Sequence, residues 1–168
     1  MTERTLVLLR HAKAEAHDAR PDFDRRLTAK GEADADAAGA WLADQRLLPK
    51  LVLCSPAART RQTWHGVAVA LDQASPGSAG VEVRYEEGLY AGGRTEVIDL
   101  LRAVPEDVGT VLIVGHNPTM SDISFLLSPD GADVELKTSG LAVHTSEGAW
   151  AGTEPGSMRL TLRHTARG

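Results

Sequence analysis

The sequence predicts an α/β fold of three layers, a mostly parallel sheet with helices on both faces and an antiparallel edge. Three observations predict it. Short apolar runs bounded by polar residues recur at 5–10, 51–54 and 110–114, the pattern of strands covered on both faces. Helix-like stretches separate these runs, and strands alternating with helices favour right-handed parallel crossovers. The last part changes character: 140–145 and 157–163 read as two strands joined through a Gly-rich turn, an arrangement that suits an antiparallel pair at a sheet edge.

The elements follow in chain order. After the first strand comes a polar loop, 18–26, containing Pro21. Thr28 is placed to cap the Ala-rich helix that runs on to Gln45, with Gly31 tolerated early, and Pro49 ends that unit. Beyond the second strand, 59–71 has helix character, with Thr63, Val67, Ala70 and Leu71 on one stripe. A Ser/Pro/Gly-rich loop spans 73–80, and 81–85 alternates as a third strand. Gly92 and Gly93 precede a helix in which Val97, Leu100, Leu101 and Val104 recur at helical spacing, closed by Pro105. Pro118 suits the first turn of a helix reaching about Leu127, and 165–168 reads as a loose tail.

With 168 residues, 42% hydrophobic and 24% charged, the chain is expected to form one globular domain, 1–168. No apolar run approaches the roughly 20 residues of a membrane helix, and the expected location is cytoplasmic. The single cysteine, Cys54, forms no internal disulfide. A net charge of -5 argues against general nucleic-acid binding, so an anionic substrate must be drawn by local charge. Arginines at 10, 25, 26, 59 and 61 supply it.

Two apolar strands each stop at a histidine, His11 and His116, and a third stops at Ser55, just before Arg59. In an open α/β sheet the ligand sits beyond the carboxyl ends of the strands, which places these residues around one crevice. A neutral imidazole is a good nucleophile toward phosphorus, and His11 is the candidate. The transferring phosphoryl group needs fixed cationic donors around its oxygens; Arg10, Arg59 and Arg25 offer planar forks, and His116 a further donor. The positive surroundings favour a neutral imidazole at position 11.

Competing chemistries fare worse. Ser55 lacks a Gly-x-Ser-x-Gly elbow and is better suited to shaping a turn or contacting phosphate. The segment between Cys54 and Arg59 holds no glycine to let backbone amides curl round phosphate, so a buried strand cysteine is the better account. His-Glu-x-x-His and paired Cys-x-x-Cys motifs are missing, and no Gly-Lys-Ser/Thr follows the glycine pairs, so neither a metal nor ATP is expected. His17, His65, His144 and His164 lack comparable context.

Four motifs occur in a telling order: Leu8-Leu9-Arg10-His11-Ala12-Lys13, Asp24-Arg25-Arg26-Leu27-Thr28 with Gly31, Ser55-Pro56-Ala57-Ala58-Arg59-Thr60-Arg61-Gln62-Thr63, and Gly115-His116-Asn117-Pro118. In them the chain resembles the histidine phosphatase superfamily, which includes phosphoglycerate mutases, and more closely its compact SixA-like phosphohistidine phosphatases. The resemblance implies a phosphoglycerate mutase-like fold and His11 as the phosphorylated nucleophile. Arg10, Arg59 and His116 then form the phosphate pocket, with Arg25 as an additional arginine and Ser55 and Asn117 as substrate contacts. Similarity of Glu87-Gly88-Leu89-Tyr90 to a family segment nominates Glu87 as the general acid. The short connections between motifs imply an open site and favour a phosphatase over a mutase, since re-transfer of a held intermediate requires water to be excluded. The expected activity is cofactor-free hydrolysis of protein phosphohistidine. A small-molecule phosphomonoesterase and a non-catalytic phosphate-binding module are the alternatives, and the partner is accordingly a phosphorylated protein or a small phosphate ester.

Overall fold

Alternation along the apolar strands dictates the layering. A computed structural model describes residues 3–131 and 133–168. Its strands are β1 (Arg4–Arg10), β2 (Leu51–Cys54), β3 (Glu82–Tyr85), β4 (Thr110–Gly115), β5 (Gly140–Ser146) and β6 (Arg159–Thr165). They form one sheet in the order β3-β2-β4-β1-β5-β6. β3, β2, β4 and β1 are parallel; β5 pairs antiparallel with β1 and β6 antiparallel with β5. The fold is the expected three-layer sandwich with an antiparallel edge.

Successive side chains of a strand point to opposite faces, so each apolar strand feeds two cores. Leu6, Leu8, Leu53, Val111 and Ile113 pack on one face against α3 (Arg94–Arg102) and α4 (Thr119–Leu127), through Val97, Leu101, Met120 and Ile123. Val7, Leu9, Val52, Leu112 and Val114 pack on the other against α1 (Ala29–Asp44) and α2 (Ala58–Ala74), through Ala38, Leu42, Trp64, Val67 and Leu71. Among the described residues no helix is long and apolar enough to cross a membrane.

Several boundaries differ from expectation for local reasons. α2 continues to Ala74 and consumes the start of the expected loop. β6 begins at Arg159 because Met158 turns inward, nearly inaccessible, and its N–H donates to the Leu127 carbonyl at 3.0 Å. The tail is not loose. Ala166 N–H donates to the Ser139 carbonyl at 3.1 Å and Gly168 N–H to Asp34 Oδ1 at 2.9 Å. The reason is Asp34, a buried carboxylate on α1 that also takes Lys30 Nζ at 2.8 Å; a buried charge requires such partners.

The entrance to α1 locks the first loop in place. Thr28 Oγ1 accepts the Gly31 N–H at 3.0 Å, and the Thr28 N–H donates to the Lys13 carbonyl at 3.0 Å. A Cβ on Gly31 would lie 2.0 Å from that carbonyl oxygen, so only glycine lets the helix approach the loop after β1 so closely. Gly31→Ala is expected to cost about 2 kcal/mol of stability, read as a lower urea midpoint, because an inserted methyl must push backbone aside; a loss below about 0.5 kcal/mol contradicts this packing.

Candidate active site

Three strand ends deliver the site at one level. The register sets Arg10 beside Gly115 and Cys54 beside Val114, so His11, His116 and Ser55 emerge next to one another. The ladder continues one step past the strands: His11 N–H donates to the Gly115 carbonyl and Ser55 N–H to that of Val114, both at 3.0 Å. The helix after β1 packs on one face and the helix after β4 on the other, which opens a crevice between these adjacent strands. There the His11 and His116 rings lie with centroids 5.4 Å apart, tilted by 57°.

His11 is oriented by its own backbone. Its Nδ1 lies 2.7 Å from the Ala12 carbonyl oxygen. A carbonyl only accepts, so Nδ1 carries the ring proton and Nε2 keeps its lone pair. The loop that does this is held on two sides. Ala12 N–H donates to Thr63 Oγ1 at 3.0 Å, and Thr63 Oγ1 donates to the Arg59 carbonyl at 2.7 Å, tying the loop to α2. Ser139, in the left-handed conformation with φ 60°, donates its N–H to the carbonyl of His11 at 3.0 Å.

Ser55 is fully buried, with its Oγ 2.7 Å from His116 Nε2. Ser55 Oγ also accepts the Ala57 N–H at 3.4 Å, and in the tautomer that carries the His116 proton on Nδ1 the Ser55 hydroxyl donates to Nε2. Among the described residues His116 Nδ1 has no hydrogen-bond partner although buried, and neither do Arg10 Nε and Arg59 Nε. Buried polar groups left unpaired cost about 1–3 kcal/mol each, and all three belong to side chains that push the His11 pKa down. An oxyanion bound against His11 would satisfy them together.

The remaining guanidinium donors fix the arginines. Arg10 Nη1 donates to the Leu136 carbonyl at 3.0 Å, and Arg25 Nη1 to that of Glu15 at 2.7 Å. Arg59 Nη1 donates to the Asp22 carbonyl at 2.8 Å and its Nη2 to Asp22 Oδ2 at 3.2 Å. Arg25 Nε and Nη2 reach Asp22 Oδ1 at 3.1 and 2.9 Å. Asp22, in a single 3-10 turn (Asp22–Asp24), also accepts the Tyr90 hydroxyl at 2.7 Å. The Tyr90 hydrogen bond, followed by Arg25 and Arg59, holds its carboxyl far below the usual range, so Asp22 is a fixed anion and not a proton donor.

The structure thus brings together His11, Arg10, Arg59, Arg25, Ser55 and His116. Two predicted residues stand apart. Asn117 is committed to the scaffold: its Nδ2 donates to the Leu136 carbonyl at 2.7 Å while its Oδ1 accepts from Ser121 N–H and Oγ at 3.1 and 2.9 Å. It positions the start of α4 and the Leu136 carbonyl that also holds Arg10. Glu87 lies exposed in a 3-10 turn (Glu87–Leu89), and among the described residues it has no side-chain hydrogen bond to the site. The residue of that segment that enters is Tyr90, whose ring stands edge-on to His116 at 5.7 Å. Motif reading gave neither Tyr90 nor Asp22 a role, although Tyr90 lies inside the segment quoted for Glu87 and Asp22 stands two residues before the Asp24 motif. Cys54 is buried, which pushes its thiol up to about 12 and leaves it inert.

Residues 6–90 match the family profile described as histidine phosphatase superfamily (branch 1), and His11, Arg25 and Arg59 lie within that span. The chain belongs to the histidine phosphatase superfamily. It is 35% identical over 168 residues to the uncharacterized protein Rv1276c of Mycobacterium tuberculosis, covering 95% of this chain and 100% of that one. The solved structure of the putative phosphohistidine phosphatase SixA from Nakamurella multipartitia superposes with a TM-score of 0.85 at 34% identity, covering 99% of this chain and 98% of that one. The protein histidine phosphatase SixA complexed with tungstate superposes with a TM-score of 0.80 at 26% identity, covering 96% of each chain. The superfamily member described here is accordingly a hydrolase. Among its described residues no group of three or more His, Cys, Asp or Glu is placed to hold a metal ion.

Electrostatics keep both imidazoles neutral. Burial, ahead of the neighbouring His116, Arg59 and Arg10, pushes His11 down to about 3 against the opposing Ala12 hydrogen bond. Burial and then Arg59, Arg25 and Arg10 push His116 down to about 4, with Asp22 opposing. The unfolded chain protonates these rings below its ordinary value of 6.5 while the folded chain does not, so both withdraw stability as the pH falls from 6.5 towards 4. An NMR titration of the free protein should find the His11 and His116 rings neutral at pH 5.5. A midpoint near 6.5 for either ring contradicts the buried, cation-flanked environment.

Proposed function

We propose that the protein hydrolyses protein phosphohistidine through a covalent intermediate on Nε2 of His11. The observation that carries the reading is the 2.7 Å hydrogen bond from His11 Nδ1 to the Ala12 carbonyl, which leaves the Nε2 lone pair free beside the arginines and His116. In the first step Nε2 attacks phosphorus and the substrate's P–N bond breaks, its electron pair returning to the leaving imidazole. A substrate ring already protonated at its other nitrogen leaves as neutral imidazole and takes up no proton. In the second step a water oxygen attacks phosphorus, the Nε2–P bond breaks, its pair returns to Nε2, and a proton of the water passes to solvent or phosphate. Arg10, Arg59, Arg25 and His116 stabilise the charge on the transferring oxygens in both steps.

Two further points support this substrate class. The leaving group needs little acid help, which agrees with the exposed position of Glu87 and with the ionised state of Asp22. The relatives described as SixA phosphohistidine phosphatases match along nearly the whole chain, and one of them binds tungstate, an oxyanion.

Turnover with EDTA present on a phosphorylated His-containing carrier protein, compared with a panel of phosphate monoesters, tests the reading. Hydrolysis is expected to be faster on the protein, to survive the chelator, and to fall by about a thousandfold or more in His11→Ala, while Glu87→Gln stays within about twofold. Equal or faster turnover of a monoester moves the assignment to the small-molecule reading, and tight phosphate binding without turnover moves it to a binding module.

A further inference from the structure

One side of the site is aromatic. Four rings stand in a row from solvent to nucleophile: Phe23 edge-on to Tyr90 at 5.1 Å, Tyr90 edge-on to His116 at 5.7 Å, and His116 beside His11 at 5.4 Å. The chain has only two Phe and two Tyr, and half of them stand here. Tyr90 is pinned through its hydroxyl to Asp22, the carboxylate that grips Arg25 and Arg59. Phe23 follows Asp22 directly, and its ring is 38% exposed in a turn that otherwise offers only carboxylates. A substituent carried outward along this row from a phosphoryl group seated among the arginines and imidazoles would pass the edge of Tyr90 and meet Phe23.

We infer that Phe23 and Tyr90 form a rim that selects substrates whose phosphoryl group is carried on a flat ring over those carrying it on an alkyl chain. The inference rests on the phosphohistidine phosphatase reading for its biological sense, since imidazole is such a ring, but the rim acts in binding and is independent of turnover. Ring-on-ring packing at this distance is directional, and an alkyl group offers no equivalent face.

Binding of phenylphosphonate and methylphosphonate, neither of which is hydrolysed, separates the rim from the chemistry. Calorimetric titration of the wild-type protein should find phenylphosphonate about fivefold or more tighter than methylphosphonate. Phe23→Ala should narrow that preference to about twofold or less while methylphosphonate affinity stays the same, which also shows that the phosphate pocket remains folded. No preference in the wild type, a preference that survives Phe23→Ala, or an equal loss of both ligands in the variant each overturns the rim. A protein that shows the preference but hydrolyses nothing refutes the phosphatase reading and leaves the rim standing.

Discussion

One hydrogen bond governs the chemistry of this molecule, the 2.7 Å contact between His11 Nδ1 and the Ala12 carbonyl. It settles which nitrogen carries the proton and therefore which one keeps its lone pair. Neighbouring contacts hold the loop that carries that carbonyl. Thr63 on α2 fixes the Ala12 N–H, Ser139 fixes the His11 carbonyl, and Gly31 lets α1 close against the same loop. The strand before His11 is buried on both faces, so the imidazole is carried by a fully packed element.

The second constraint is charge. An acidic protein has to concentrate positive potential where an anion binds, and here it does so by burying guanidinium groups at strand ends and helix starts. Buried arginines need counter-charges, and Asp22 supplies one to both Arg25 and Arg59 from the solvent side. Backbone carbonyls of Glu15, Asp22 and Leu136 take further donors. Among the described residues, one buried nitrogen from each of Arg10, Arg59 and His116 is left without a hydrogen-bond partner beside His11.

Much of this was legible in the sequence because the chemistry sits where strands stop. An apolar run that ends in Arg10-His11, and another that ends in Gly115-His116, places both imidazoles at the same edge of the sheet once the strands are parallel neighbours. The layering was legible for the same reason, since alternating apolar residues must feed two cores. Less accessible were contacts between segments remote in the chain. Asp22 meets Tyr90 across 68 positions, and no local pattern couples a one-turn helix in one loop to a phenol in another. The Glu87 segment was singled out, but the 3-10 turn rotates Tyr90 inward and leaves Glu87 in solvent. Asn117 lies in a motif yet spends its amide on α4 and Leu136. The terminal residues looked free only because the buried Asp34 that anchors them lies far away on α1.

The central claim concerns a single nitrogen atom, and it is tested most directly by trapping the phosphorylated enzyme. Rapid acid-free quenching of 15N-histidine-labelled protein during turnover, followed by phosphorus–nitrogen correlation NMR, reports which ring atom carries phosphate. The account predicts phosphate on Nε2 of His11. Phosphate on Nδ1, on another residue, or on no residue at all while turnover proceeds would contradict it.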